Sequence, residues 1–358
     1  MVYTLKELVN IKYGKNQKNV ENPNGKYPIY GTGGLMSYAD KYLYDKPSVL
    51  IGRKGSIGKV RFSDKPFWTV DTLFYTEVNE DIVIPKYLYY KMLTIDMSEY
   101  NEGTTIPSLR TDTLYRIELD IPNKEIQKRV IKVLDSLEKK MKTNNEINNN
   151  LHELMKIKFN NCIDNLEEYE ESVLSKIANY KNGLAMQKFR PIDESGLPVI
   201  KIKEMNSGIT SETERCRSDI ESDVIIHNGD ILFAWSGTLC MSIWCGGRAG
   251  LNQHIFKVTS DKYPKWFYYF WTLKHLDNFI EIAAGKATTI GHIKRTELDK
   301  AIVKIPNEKI MEKMDKIFTP ILNEYVNNSI ESKSLSELRD TLLPKLMNGE
   351  IDLDNIEI

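Results

Sequence analysis

A turn rich in glycine and cations, Gly52-Arg53-Lys54-Gly55-Ser56-Ile57-Gly58-Lys59-Val60, is the first place in this 358-residue chain where residue types and spacing suggest chemistry. A phosphate loop needs four residues between its first glycine and the Gly-Lys pair, then a hydroxyl to hold magnesium. Gly52 stands one position too early and Val60 replaces the hydroxyl, so nucleotide binding is not expected. The cations Arg53, Lys54, Lys59 and Arg61 suit a DNA phosphate or a guanine edge better. A hairpin turn with solvated cations is the alternative reading of the same residues.

Other candidates for catalysis fail on spacing. Cys240, Cys245 and His254 match no common zinc site and lack a fourth ligand. The five histidines, His152, His227, His254, His275 and His292, are scattered, and no carboxylate pair is singled out for acid–base work. A second polar group lies further along, in Ala234-Trp235-Ser236-Gly237-Thr238 and Asn252-Gln253-His254. Asn and Gln pair bidentately with adenine; ordinary loop hydrogen bonding is the alternative.

These two groups occupy matching places because the chain is written twice. Leu5–Gly14 returns as Leu174–Gly183, and Pro85-Lys86-Tyr87-Leu88-Tyr89-Tyr90 as Pro264-Lys265-Trp266-Phe267-Tyr268-Tyr269. Thr104-Thr105-Ile106 returns as Thr288-Thr289-Ile290, and Ile121-Pro122-Asn123 as Ile305-Pro306-Asn307. Order is kept, and the growing offset gives the second copy about fifteen extra loop residues. The glycine-rich turn falls opposite Ala234–Thr238, and Asp71-Thr72 near Asn252–His254. A framework that repeats while its exposed loop residues differ is what two readers of two different words require.

The elements that position them have two textures. Residues 1–121 and 166–305 hold short apolar runs such as Pro47–Gly52 and Gly229–Phe233 between turn signals, which predict strands in a mixed α/β (α+β) globule. Residues 122–165 and 306–348 open on Ile-Pro-Asn and place apolar residues at helical spacing. A heptad seam through Val130, Leu137, Asn144 and Leu151 is matched by Met314, Ile321, Asn328 and Leu335. That pattern predicts two helices packed along their length, with an Asn at one seam position in both. About 34 helical residues span about 50 Å, enough to hold two globules apart.

Composition agrees: 41% hydrophobic, 28% charged and 10% aromatic residues exclude a disordered or fibrous chain. No run approaches the ~18 apolar residues of a membrane span, the start lacks the apolar core of a signal peptide, and four cysteines without a paired pattern fit a reducing, cytoplasmic setting. The net charge of −1 hides an uneven distribution, with the acid concentrated after residue 306.

The stretch Leu335-Ser336-Glu337-Leu338-Arg339-Asp340-Thr341-Leu342-Leu343-Pro344-Lys345-Leu346-Met347-Asn348-Gly349-Glu350-Ile351 closely resembles the C-terminal signature of the specificity (S) subunit of type I restriction-modification enzymes. The repeated Ile-Pro-Asn, the Gly-Thr-Thr-Ile and Ala-Thr-Thr-Ile segments and the two-copy layout match too, so the resemblance covers essentially the whole chain. It implies target recognition domains at 1–121 and 166–305, a central conserved helix at 122–165, and a conserved helix and tail at 306–358. The two helices would pack as an antiparallel coiled coil, and the internal repeat would be pseudo-twofold. Each domain would read half of a bipartite, asymmetric double-stranded DNA target, and the helices would bind two methyltransferase subunits. S-adenosylmethionine would sit on the methyltransferase, and ATP and magnesium on a separate restriction subunit. This chain would be non-catalytic, with no cofactor or metal of its own, and cytoplasmic. It contains no adjacent prolines, so the Asn/Asp-Pro-Pro-aromatic motif of amino-methyltransferases is missing.

Loop chemistry then gives the residues expected to face DNA. In the first copy they are Arg53, Lys54, Ser56, Lys59, Arg61, Thr104, Thr105 and Arg110. In the second they are Lys201, Lys203, Trp235, Ser236, Arg248, Asn252, Gln253, His254, Lys286, Thr288, Thr289, His292 and Lys294. The competing readings are a protein-interaction scaffold of the same architecture without specific DNA readout, and a self-contained DNA-modifying enzyme.

Overall fold

The computed structural model describes residues 1–191, 196–285 and 291–351, and the chain falls into two compact units. Unit 1 takes residues 1–139 and the chain from Ser336 onward; unit 2 takes 140–335. The long helices Lys124–Asp164 and Glu308–Met347 each contribute residues to both units.

Each unit is built on the same sheet. In unit 1 the strand order is Val9–Tyr13, Leu73–Val78, Ser48–Gly52, Val60–Ser63; in unit 2 it is Asn179–Asn182, Ile255–Thr259, Asp230–Ala234, Cys240–Trp244. Both sheets are antiparallel throughout. The apolar runs predicted as strands become the inner strands Ser48–Gly52 and Asp230–Ala234. Ser48–Gly52 is buried along its whole length, as an uninterrupted apolar run packed on both faces must be. The one hydroxyl it buries, Ser48, donates to the Thr76 carbonyl at 2.7 Å, which removes the cost of an unpaired polar group.

A smaller sheet beside each large one also repeats. Tyr27–Gly31 pairs antiparallel with Gly34–Ala39 and parallel with Trp68–Thr69. Leu197–Ile200 pairs antiparallel with Arg215–Cys216 and parallel with Ala249–Leu251. The two hairpins differ at the tip. Only Thr32-Gly33 joins the strands in unit 1, whereas residues 201–214 do so in unit 2 and include a short helix, Ile202–Ser207. Much of the second copy's extra length is placed here.

The repeated Ile-Pro-Asn starts the long helices. Asn123 Oδ1 accepts the Ile126 N–H at 3.0 Å, and Asn307 Oδ1 accepts the Ile310 N–H at 3.0 Å. Each satisfies a first-turn amide that has no partner within the helix. Within unit 2 the helices run antiparallel: Asn144 Nδ2 donates to Glu331 Oε2 at 2.7 Å and Asn148 Nδ2 to the Tyr325 carbonyl at 2.9 Å. Asn328 Nδ2 donates in turn to Asn148 Oδ1 at 3.1 Å. All eight seam residues are buried or half-buried. The repeat-matched pairs are nevertheless not a list of contacts. Val130 packs in the unit 1 core with Leu343, Leu346 and Met347, while Met314 packs in the unit 2 core with Met155 and Phe159. Antiparallel pairing matches a residue with its own repeat mate only near the crossing of the two copies, and Asn144 with Asn328 occupies that place (Nδ2 to carbonyl, 3.4 Å).

Candidate nucleic-acid interface

The inner strand of each large sheet ends in the same backbone frame. In unit 1 the Arg53 N–H donates to the Thr72 carbonyl at 2.8 Å, the Gly55 N–H to Pro107 at 2.9 Å, and the Leu109 N–H back to Arg53 at 2.9 Å. In unit 2 Trp235 donates to His254 at 3.2 Å, Gly237 to Gly291 at 2.9 Å, and Ile293 to Trp235 at 3.2 Å. Lys54 bridges to Ser108 as Ser236 bridges to His292. Gly55 and Gly237 take φ values of +78° and +77°, a left-handed conformation that a side chain would strain. Three loops distant in sequence are thus tied together by main-chain atoms alone. By this frame Arg53 is the counterpart of Trp235, Lys54 of Ser236, Thr72 of His254, and Arg110 of Lys294.

Beneath it lies an aromatic platform. Phe74 pairs with Ile51 in unit 1 as Phe256 pairs with Phe233 in unit 2. The Arg53 guanidinium sits 4.9 Å from the Tyr13 ring centre and 6.0 Å from Phe74, and Nη1 donates to the Asp71 carbonyl at 3.0 Å. Trp235 stacks on Phe256 at 5.6 Å and 28°, with His254 at 6.0 Å and His292 at 6.4 Å. The Arg295 guanidinium covers the same Phe256 ring at 5.4 Å. A cation on a ring face is held by the ring quadrupole, so it is oriented before any ligand arrives.

Most of the expected residues gather on these frames. Lys54, Ser56 and Lys59 lie exposed on the turn after Ser48–Gly52, and Arg110 is exposed beside Leu109, with Nε 3.1 Å from Glu102. Thr104 and Thr105 are exposed on the bend of a loop that Asn101 Oδ1 closes by accepting the Gly103 and Ser108 N–H groups, each at 2.9 Å. In unit 2, Asn252, Gln253 and His254 form one turn, with Asn252 Oδ1 accepting the His254 N–H at 3.2 Å and Gln253 Nε2 3.2 Å from His254 Nε2. Lys294 is exposed next to Ile293. Lys286, Thr288 and Thr289 lie outside the described residues.

Four expected residues are engaged elsewhere. Arg61 lies on the edge strand, its Nη2 donating to the Gly33 carbonyl at 2.8 Å and its Nε buried, so it braces the hairpin instead of reaching outward. Arg248 Nη2 donates to the Ser218 carbonyl at 3.4 Å. Lys201 pairs with Glu214 at 2.5 Å and Lys203 with Glu212 at 3.4 Å, across the base and the body of the long hairpin loop. Sequence reasoning missed Tyr13, Phe74 and Phe256. Their signal was present: Tyr13 is the penultimate residue of the first repeated segment, and the two phenylalanines fall at matching places in the copies.

Among the described residues no group of His, Cys, Asp or Glu could hold a metal ion, and no helix is long and apolar enough to cross a membrane.

A family model described as "Type I restriction modification DNA specificity domain" matches residues 1–153 and again 166–339. The type I restriction enzyme MjaIX specificity subunit of Methanocaldococcus jannaschii is 24% identical across 99% of this chain and 87% of that protein. The HindI specificity subunit of Haemophilus influenzae is 20% identical across 82% of this chain and 84% of its own length. Among solved structures, the S subunit of a type I restriction-modification system from M. genitalium superposes with a TM-score of 0.64 at 18% identity, over 97% of this chain and 95% of that one.

Proposed function

The chain belongs to the type I restriction-modification DNA specificity family, so its task is recognition of a DNA target and not catalysis, and we propose that its two units read the two halves of a bipartite, asymmetric sequence. The observation that carries this reading is a main-chain frame made twice with different side chains on it: Arg53, Lys54 and Arg110 in unit 1, and Trp235, Ser236, Gln253, His254 and Lys294 in unit 2. Two equal readers would select an inverted repeat; unequal ones select two words. Arg and Lys favour guanine, and Gln favours adenine.

The long helices are the docking surface for two methyltransferase subunits. Supporting this are Ile147, Leu154 and Ile157, apolar residues on the first long helix that remain exposed at 40%, 42% and 57%. Exposed apolar side chains at heptad and half-heptad spacing are what a partner helix would cover. S-adenosylmethionine then belongs to the methyltransferase, ATP and magnesium to a restriction subunit, and the assembly works in the cytoplasm. Because the chain is nearly neutral overall, much of the positive surface that holds the DNA backbone comes from the partners.

The test is methylation mapping of cells that carry the chain with its methyltransferase, against cells lacking the chain. The expected result is a two-part methylated motif with an unread spacer, which vanishes with the chain. A motif that persists without the chain, or none in either strain, overturns the reading.

A further inference from the structure

Two adjoining clefts in unit 2 occupy places that unit 1 fills with its own side chains. The first, of about 620 Å³, lies along the edge strand Asn179–Asn182 and is bounded by Ser175, Lys176, Tyr180, Arg295 and Asp299. The second, of about 580 Å³, reaches the first turn of the long helix Glu308–Met347 and is bounded by Tyr263, Ile305, Glu308, Met311 and Glu312. Lys262 lines both, so they join there as one groove.

In unit 1 the first place is closed by a phenol. The Leu5 N–H donates to the Ile117 carbonyl at 2.8 Å as the Leu174 N–H donates to Ala301 at 3.0 Å, which makes Tyr115 the counterpart of Asp299. The Tyr115 hydroxyl accepts the Ile11 N–H at 2.9 Å and so covers an outward amide of an edge strand. Asp299 brings no ring; its Oδ1 accepts the Ser175 hydroxyl at 2.6 Å.

The second place is closed in unit 1 by an amide. Gln127 is fully buried, accepts the Ile84 N–H at 2.8 Å and donates to the Ile82 and Pro122 carbonyls at 3.1 and 2.8 Å. Its counterpart after the repeated Ile-Pro-Asn is Met311, half-buried, whose thioether is no donor and a weak acceptor. The Tyr263 N–H, in the place of Ile84, is met by Ser260 Oγ at 3.1 Å instead. Charge reverses as well, since Lys124 and Lys128 stand in unit 1 where Glu308 and Glu312 stand in unit 2.

We propose that this groove seats an extended, basic, tyrosine-bearing segment of one methyltransferase subunit, whose phenol takes in unit 2 the place that Tyr115 takes in unit 1. The proposal rests on the methyltransferase docking role given above. Three observations select this occupant. Unit 1 displays the chemistry that fits, an aromatic body with a polar tip at the strand edge. Glu170, Glu308 and Glu312 line the far end and complement a basic chain. The groove ends on a long helix and starts where Asn179 pairs with Thr259, whereas the reading frame follows Ala234 at the other end of the same sheet, so DNA on the frame leaves it open. Because unit 1 closes the matching places itself, the two methyltransferase subunits are held unequally.

The experiment uses the full chain with its methyltransferase. In Lys262→p-benzoylphenylalanine the complex is irradiated and the joined peptide mapped by mass spectrometry; native mass spectrometry over a dilution series counts the methyltransferase subunits bound. Two variants are compared with the parent, each after circular dichroism and melting. Asp299→Tyr with Met311→Gln installs the residues that close unit 1, and Glu170→Lys with Glu312→Lys reverses exposed charges. The expected cross-link joins position 262 to a methyltransferase segment in which a tyrosine lies near Lys or Arg. Each variant is expected to lower the cross-link yield and the affinity for one of the two subunits about 10-fold, since an aromatic anchor in a desolvated pocket carries a large share of an interface's affinity. A chain that binds no methyltransferase defeats the docking role itself. A parent that binds two subunits but joins position 262 to nothing, to DNA, to a restriction subunit or to a methyltransferase segment without tyrosine defeats this inference alone. So does a folded variant of either kind that binds both subunits as the parent does. If the closing variant fails to fold, unchanged occupancy in the charge variant overturns the assignment.

Discussion

Arg53 and Trp235 occupy one place in two copies of one frame, and they have nothing in common except the ring below them. Arg53 lies over Tyr13 and Phe74 and donates to the Asp71 carbonyl; Trp235 stacks on Phe256 between two histidines. The frame tolerates both because its hydrogen bonds come from main-chain N–H and carbonyl groups, which any residue but proline supplies. Only the left-handed glycines, Gly55 and Gly237, are dictated by the backbone. A recognition module built this way can change its word by substitution at the loop tips without renegotiating its fold, which is why binding residues sit on loops held by a rigid scaffold.

The comparison is broken most severely at the platform. Phe74 is fully buried and Phe256 nearly so, and a Phe→Ala change in a core costs about 3–5 kcal/mol. Phe256→Ala removes the support of Trp235, Tyr180, Phe233 and Arg295 together, whereas Phe74→Ala removes that of Tyr13 and Arg53. Phe256→Ala is therefore expected to be the more damaging. Four of the five tryptophans, Trp235, Trp244, Trp266 and Trp271, belong to unit 2. In a Trp68→Phe background, tryptophan fluorescence in a urea titration follows unit 2 alone, and it should move far to lower urea for Phe256→Ala and little for Phe74→Ala. Equal shifts would mean that the two platforms are not separate supports.

Smaller effects come from the tips. Arg53→Ala, Lys54→Ala and Arg110→Ala should disturb the half-word read by unit 1 only, and Gln253→Ala and Lys294→Ala the other. A base contact costs about 1–3 kcal/mol and relaxes preference at its own position; a phosphate contact weakens all sequences alike and reduces the salt slope. Selection of randomised duplexes by each complex separates the two. Wild-type preference in all five variants would remove the loop tips from the interface.

How far the sequence carried this depended on range. The Asn123 and Asn307 caps, the buried strands after Pro47 and Gly229, and the two long helices were legible because short-range spacing determines them. The loop cluster was legible only as a correspondence between copies. What no spacing reveals is which cation is consumed by the protein itself: Arg61 is two residues from Lys59, yet it lies within the edge strand Val60–Ser63 and its guanidinium donates to the Gly33 carbonyl, whereas Lys59 stays on the exposed turn before that strand. The residue-for-residue match of Val70 with Asn252 and of Gly31 with Lys201 was hidden for a related reason. Their equivalence is defined by parallel strand pairing between segments far apart in the chain, and the unequal loops in between erase a constant offset.

The smallest predicted difference concerns acid. All five histidines belong to unit 2, so any imidazole titration is confined to that unit. Burial holds the imidazoles of His152 and His275 below their ordinary value, outweighing Glu153 beside the first and the Ile302 carbonyl beside the second; Lys156 and Lys274 push in the same direction as burial. His152 Nε2 lies 3.0 Å from Tyr269 Oη and His275 Nε2 2.8 Å from the Ile302 carbonyl, so both rings are tied to the unit 2 core. A group whose folded value is depressed binds fewer protons folded than unfolded, and stability then rises with pH. The contribution is present above the ordinary histidine value of about 6.5, and it is lost as the pH falls through the depressed folded values. Between pH 7.5 and 5.5 the urea midpoint of unit 2, followed by fluorescence in the Trp68→Phe background, should fall, and the fall should shrink in His152→Gln with His275→Gln. Unit 1, followed by hydrogen exchange of Ser48–Gly52 amides, should hold its protection over the same range. An equal loss in both units would show that the pH response comes from the carboxylates they share and not from the buried imidazoles.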